Sequence, residues 1–336
     1  MTTVGFGDLA TSYRSSLQNA RIKSDISRLS QELATGQKTD LKTPSGNELV
    51  KYASLEASIK TLQAYSFSAT QASLIAETAQ ASLEVVQDLT SSIGPNLIVA
   101  GNTGTEPMLT VNAADAKSKF QSVVSALNAR IGDRSLFAGD GVSGPALSTA
   151  DEILANLSSA VAGSASVTDL VNAVDVWFDT AGGGFENTAY LGSTSDLSPF
   201  LLGRGETASL DIRADNEGIR ETIKGYAMAA LVDEGLFAGS QNERAQVLRL
   251  AGERLIDAND ALGDTRARLG LNEAQIDQSR ARTASEIAAL ERTRADLVAV
   301  DPYRVATELQ AAETQLEMLY TVTARLSRLS LVDFLR

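Results

Sequence analysis

Residues 301–336 read DPYRVATELQAAETQLEMLYTVTARLSRLSLVDFLR, and their spacing decides the fold. Val305, Leu309, Ala312, Leu316, Leu319, Thr323 and Leu326 follow one another at alternating steps of four and three. Such steps return to one side of an α-helix and make a coiled-coil seam of about three heptads. Asp301-Pro302 opens the helix: aspartate caps exposed N–H groups, and proline fits the first helical position, where its missing N–H costs nothing. A helix with one narrow apolar stripe is marginal by itself, so it requires a partner.

The opposite end of the chain offers one. Residues 8–35 contain no proline and step by four through Leu9, Tyr13 and Leu17. Ile22, Ile26, Leu29 and Leu33 then step by four, three and four. The two sets do not fall on one stripe, so this helix either drifts or packs on two partners. Thr35-Gly36 reads as its C-cap, with glycine in the left-handed position. Residues 36–44 form a turn closed by Pro44, and Ser45-Gly46-Asn47-Glu48 has the spacing of a capping box.

A long helix is expected to follow as far as Ile93. It carries a small-residue seam at Ala69, Ala72, Ala76, Ala79, Leu83 and Val86, and Gly94-Pro95 ends it. Residues 100–112, with Gly101, Gly104 and Pro107, read as a loop. The next helix spans 113–131, with Ala116, Phe120, Val123 and Leu127 inward.

From 139 to 215 the composition changes: Gly and Ser rise and the long periodicity stops. Helices over 149–162 and 167–179 are expected there, then strands over 185–191 and 199–212 with Gly203-Arg204-Gly205 as a turn. Helix returns at 218–234. A very long one runs over 242–299, where Leu248, Ala251, Leu255, Ala258, Leu262, Thr265, Leu269, Asn272 and Ile276 alternate steps of three and four. The frame slips by one before Ile287, Leu290 and Leu297, as at a stutter.

The expected fold is therefore mainly α, a long antiparallel helical hairpin or coiled-coil bundle built from both chain ends with a small α+β insert at the tip. The expected domains are a terminal coiled coil of 1–44 with 301–336, a helical bundle of 45–138 with 216–300, and the insert of 139–215. Its core is built from small side chains, since 43% of the 336 residues are hydrophobic but only 5% aromatic.

Composition narrows the function. A net charge of −13 disfavours nucleic-acid binding, which needs clustered positive charge. The chain has no Cys and no His, which removes disulfides, thiolate chemistry and the commonest acid–base and metal-binding side chain. A cofactor is not expected, nor a metal, and the chain does not read as an enzyme. Residues 1–17 lack the pattern of a cleaved secretory signal, and no stretch approaches the length of a membrane span, so no membrane insertion is expected. The expectation is residence in the cytoplasm or departure by a route that reads no cleaved signal.

At both ends the chain resembles the flagellin family, and within it the proteins of the hook–filament junction. The residues that carry the likeness are Arg28-Leu29-Ser30 through Ala34-Thr35-Gly36, then Thr43-Pro44-Ser45-Gly46. Towards the C-terminus they are Asp301, Ala306-Thr307-Glu308-Leu309 and the ending Leu329-Ser330-Leu331-Val332-Asp333-Phe334-Leu335-Arg336. Arg134-Ser135-Leu136-Phe137-Ala138-Gly139 is similar to a segment that junction proteins carry before their variable insert. Gly46-Asn47 departs from the family, which commonly has an acidic pair there.

The resemblance implies a structural component of the bacterial flagellum, extracellular, exported without a cleaved signal peptide and assembled through paired terminal helices. Its implied partners are copies of itself, another hook-associated protein, flagellin and an export chaperone. The implied assembly residues are Leu17, Ile22, Ile26, Leu29, Leu33, Val305, Leu309, Leu316, Leu319, Leu326, Leu331 and Leu335. Flagellin forming the filament itself is the near alternative, and a cytoplasmic coiled-coil adaptor the more distant one.

Other constellations have plainer readings. Asp257, Asp260 and Asp264 fall on one helix face and suit Mg²⁺ or Ca²⁺ in type, but a solvated acidic face explains them. Glu273 and Asp277 have the spacing of a carboxylate pair on an exposed face. Gly182-Gly183-Gly184 lacks the Lys and Ser/Thr of a phosphate loop and reads as a flexible connector. Trp177 and Phe178 suit the core of the insert.

Overall fold

The structure is a computed structural model. It describes residues 6–39, 47–141 and 143–334, and the side chains of 10, 13–39, 48–141 and 143–325. The described helices are α1 (Phe6–Thr35), α2 (Asn47–Thr103), α3 (Glu106–Leu127), α4 (Ala150–Val161), α5 (Val167–Asp179), α6 (Glu217–Asp233), α7 (Gln241–Val298) and α8 (Pro302–Phe334). Two short antiparallel hairpins complete the described elements, β1 (Arg130–Ile131) with β2 (Arg134–Ser135) and β3 (Phe200–Gly203) with β4 (Glu206–Ala208). The chain is mainly α, as the periodicity predicts.

Two compact units emerge. Unit 1 holds Met1–Leu62 with Ser285–Arg336, and unit 2 holds Gln63–Ala284.

Unit 2 is built around α6. From Gly218 to Val232 every residue except Arg220 and Glu221 is buried, so this helix is apolar nearly all round and is covered on all sides. Helices α3, α4 and α5 pack on it. Gly225 lets α7 approach, since a Cβ there would lie 2.8 Å from the Leu255 side chain. Helices α2 and α7 also meet backbone to backbone. A Cβ on Gly252 would lie 2.6 Å from the Gly94 carbonyl, and one on Gly101 would lie 2.6 Å from the Ala245 carbonyl. The predicted seams of α2, α3 and α7 are buried here, from Ala69 to Val86, Ala116 to Leu127 and Leu248 to Leu269.

Several local expectations are corrected. Helix α2 does not stop at Gly94-Pro95 but continues to Thr103. Pro95 is exposed while Ile93, Leu97 and Ala100 stay buried, so the carbonyl that loses its N–H partner belongs to exposed Ser91 and is open to water. Residues 100–112 are not one loop, because α3 already begins at Glu106 with Pro107 in its first turn, where proline is tolerated. Its far end gives way at Leu127, and residues 130–135 turn back as the β1–β2 hairpin around Gly132, φ +58°.

Further corrections lie in the insert. Residues 185–191 do not form a strand: Phe185–Ala189 close a π-helical turn, with the Tyr190 N–H donating to the Phe185 carbonyl at 2.8 Å. That spacing stacks the two rings, 6.4 Å apart and 10° from parallel, in a cluster with Trp177 and Phe178. The cluster bears out a core role for Trp177 and Phe178, which are 7% and 2% exposed. Gly182-Gly183-Gly184 is a packed turn rather than a flexible connector, because a Cβ on Gly184 would overlap the Trp177 indole. Helices α4 and α5 start where predicted. Thr149 and Glu152 form a reciprocal capping box, and the Ser166 hydroxyl accepts from the Asp169 N–H at 3.2 Å. The β3–β4 hairpin turns at Arg204-Gly205, and α7 holds it through Ser279 Oγ, which donates to the Leu202 carbonyl at 3.1 Å.

Candidate assembly surface

Unit 1 pairs the two chain ends, α1 on α8. The side of α8 that turns inward is the predicted seam: Val305 is buried and Leu309, Ala312, Leu316 and Leu319 are half-buried. On α1, Ile22 and Leu29 are buried and Ile26 is half-buried, and the same stripe continues backwards through half-buried Asn19 and Ser15. The seam of α1 therefore keeps its rhythm of four and three by using two polar residues. The first apolar set lies off it, with Tyr13 66% and Leu17 53% exposed.

The placement of the candidate residues follows. Ile22, Leu29 and Val305 are covered by the chain itself, while Ile26, Leu309, Leu316 and Leu319 line the same seam half-covered. Leu17 and Leu33 are exposed. Leu326 and Leu331 lie on α8 with side chains outside the described residues, and Leu335 lies outside the described residues altogether.

The connectors beside this pair are tied to each other. Gly36 takes φ +69° and ends α1 as predicted. The Lys38 N–H then donates to the Val298 carbonyl at 2.8 Å, and the Val300 N–H donates to the Gly36 carbonyl at 3.1 Å. These two bonds flank Gln37 and Ala299 as an antiparallel pair. Lys38 Nζ also donates to the Leu297 carbonyl at 3.2 Å, placing a cation at the C-terminal end of α7. Buried Glu32 accepts from the Thr39 N–H at 3.0 Å and from Arg28 at 3.3 Å. Arg294 on α7 pairs with Glu56 on α2 at 2.6 Å. Ser45 of the predicted capping box is outside the described residues, and Glu48 pairs with Lys38 at 3.3 Å. Asp301 caps α8 as predicted, accepting from the Tyr303 N–H at 3.0 Å.

The balance of apolar surface in unit 1 is unusual. Among the described residues its buried hydrophobic side chains are Ile22, Leu29, Ile59 and Val305. Its exposed large ones are Tyr13, Leu17, Leu33, Leu49, Val50, Tyr303, Met318, Tyr320 and Val322. A fold that shows water more large apolar side chains than it buries has surface left to cover. Lys23 partly screens one of them, lying 5.9 Å from the centre of the Tyr320 ring.

Unit 2 holds the remaining candidates. Asp257, Asp260 and Asp264 are all exposed on α7. Asp257 and Asp264 line a groove of about 880 Å³, where Arg213, Arg254 and Arg268 stand among the carboxylates. No group of three or more acidic side chains among the described residues is placed to hold a metal ion. Glu273 has its pKa raised by partial burial and by the carboxylates of Glu77 and Asp277, while Asp277 pairs with Arg280 at 3.2 Å.

One cluster escaped the sequence reading. Lys224, 1% exposed on α6, has its ammonium 2.6 Å from both Asp179 and Glu221 and 3.4 Å from Asp175. Arg254 reaches Asp175 at 2.9 Å, and Arg220 reaches Asp179 at 3.3 Å. Three cations and three carboxylates thus join α5, α6 and α7. The signal that could have found it is the pair Asp175 and Asp179, four apart on one face of α5, beside a lysine inside the apolar run of α6.

Residues 254–335 match the family model of the bacterial flagellin C-terminal helical region. The resemblance carried by the C-terminal motifs is thereby borne out over that stretch. No curated protein matches the chain. Among solved structures the chain is similar to that of a putative flagellar hook-associated protein from Vibrio parahaemolyticus, with 14% identity and a TM-score of 0.52. The match covers 76% of this chain and 98% of that one, and at this identity it speaks for the fold.

Proposed function

From the premise that residues 254–335 carry the C-terminal helical region of bacterial flagellins, we propose that this chain is a structural component of the bacterial flagellum that assembles with its own copies through unit 1. The observation that carries the reading is the apolar imbalance of unit 1. Its seam is closed by α1 and α8 of the same chain, yet Tyr13, Leu17, Val50, Tyr303, Met318 and Val322 still face water. The seam serves the chain, and the uncovered faces serve neighbouring copies. The role is mechanical, with no catalytic step and no cofactor, and the protein works outside the cell as part of the appendage.

Within the flagellum the reading favoured is the junction between hook and filament, next to flagellin and a second hook-associated protein. The likeness to the structure of a putative flagellar hook-associated protein and the Arg134–Gly139 segment support it. The name of the matched helical region favours the second reading, a filament-forming flagellin. Electron microscopy of a deletion strain separates them. The junction reading expects cells that keep their hooks and shed unassembled flagellin into the medium. Cells with neither filaments nor flagellin in the medium point to the filament reading, and normal filaments contradict both.

A further inference from the structure

The charge of this protein is divided between its units with no remainder. Unit 1 contains 14 Lys and Arg against 14 Asp and Glu, and unit 2 contains 15 against 28. Unit 1 is therefore neutral, and unit 2 carries the whole net charge of −13. Both units hold local ion pairs, as in Arg28 with Glu32 and Arg294 with Glu56 of unit 1, so the difference lies in the excess of acids and not in how many are paired. In unit 2, exposed Asp88, Asp133, Asp257 and Asp260 have no side-chain hydrogen bond or ion pair among the described residues.

We infer that this partition controls association between copies: neutral unit 1 is the surface on which a second copy docks, and unit 2 supplies an electrostatic repulsion that holds copies apart at low ionic strength. The inference rests on the reading of unit 1 as the self-assembly surface. Two neutral faces of mixed sign meet without net Coulomb cost, and pairs of opposite sign can be exchanged across them. Two bodies of −13 repel over a distance set by the Debye length, ~8 Å at physiological ionic strength and ~30 Å in dilute buffer. Salt therefore weakens the opposing force and leaves the apolar attraction of unit 1 in place. A chain built this way stays dispersed while dilute and associates when screened or concentrated.

Two variants of equal total charge test this. Neutralising Asp88, Asp133, Asp257 and Asp260 to Asn leaves unit 2 at −9 and unit 1 at zero. Neutralising Glu286, Glu313 and Glu317 to Gln and Asp296 to Asn leaves unit 2 at −13 and unit 1 at +4. All eight positions are exposed, and thermal unfolding confirms that each variant is folded. Light scattering and sedimentation velocity follow association of the full-length proteins against sodium chloride concentration. The first variant is expected to associate at a salt concentration about twofold or more below that of the natural chain, and the second only above it. Equal shifts in the same direction would show that total charge alone matters and overturn the partition. A natural chain that associates with no dependence on salt also overturns it while leaving self-assembly intact. A natural chain that stays monomeric at every salt and protein concentration removes the self-assembly reading itself, and the partition with it.

Discussion

Removal of residues 305–336 is expected to abolish assembly and to leave unit 2 folded. The deletion takes away nearly all of α8, and with it Val305 and the half-buried Leu309, Leu316 and Leu319 that cover α1. Ile22 and Leu29 then face water, and α1 alone is an isolated helix with one narrow stripe, which is marginal in water. The contiguous hydrophobic core is unaffected, since all its buried members fall between Ala69 and Ile276. Circular dichroism should therefore show helix lost in proportion to α1 and α8, and the main unfolding transition should keep its stability within about 1 kcal/mol. A truncated chain that still entered flagella would show that the terminal pair is dispensable. One that failed to fold anywhere would show that the two units are not independent.

The largest effect of a single substitution is expected at Lys224. Lys224→Met removes the buried cation and leaves Asp175, Asp179 and Glu221 facing one another. Breaking a buried ion cluster from one side costs about 3–5 kcal/mol. The three carboxylates are 30–40% exposed and keep Arg220 and Arg254 nearby, which places this site at the low end, about 3 kcal/mol. For a unit of this size that is a fall in Tm of about 6–12 °C. Asp175→Asn is expected to cost far less, about 1 kcal/mol, because Lys224 keeps Asp179 and Glu221 at 2.6 Å each. Thermal unfolding of the two variants checks the order. Equal losses would mean that Asp175 matters to the cluster as much as Lys224 does.

Much of the fold can be read from local chemistry, because caps act over a few residues. Gly36, Asp301-Pro302, and Thr149 with Glu152 each set a helix boundary where their short-range geometry requires it. Pro95 misleads because the cost of proline depends on whether the abandoned carbonyl reaches water, and exposure is a tertiary property. The turn at Phe185 misleads because the stacking of Phe185 on Tyr190 outweighs the strand preference of the segment. Lys224 is hard to read from sequence because its partners on α5 lie 45 and 49 residues away.

The proposed assembly surface is legible in the sequence only in part. The seam on α8 is apolar and periodic, but the one on α1 runs through Ser15 and Asn19, so pattern alone put Tyr13 and Leu17 in view instead. Those two are exposed. A heptad has the same spacing whether its partner is in the same chain or another, which is why periodicity cannot assign the partner. Burial does so for α1 and α8, and the uncovered faces are what remain for a neighbour.

Because the chain has no cysteine, single cysteines report directly on which faces touch between copies. The variants are Leu17→Cys, Val50→Cys, Tyr303→Cys and Val322→Cys in unit 1, with Val85→Cys and Leu271→Cys as exposed positions in unit 2. A disulfide forms only when Cα atoms come within about 7 Å. The variants are assembled singly and in pairwise mixtures, because a head-to-tail contact brings different residues together, then oxidised and resolved on a non-reducing gel. Assembly through unit 1 predicts disulfide-linked dimers for one or more single variants or pairs among the first four positions, and none when the protein is kept monomeric. Dimers at Val85 or Leu271, with none among the four positions in unit 1 either singly or in pairs, would contradict it.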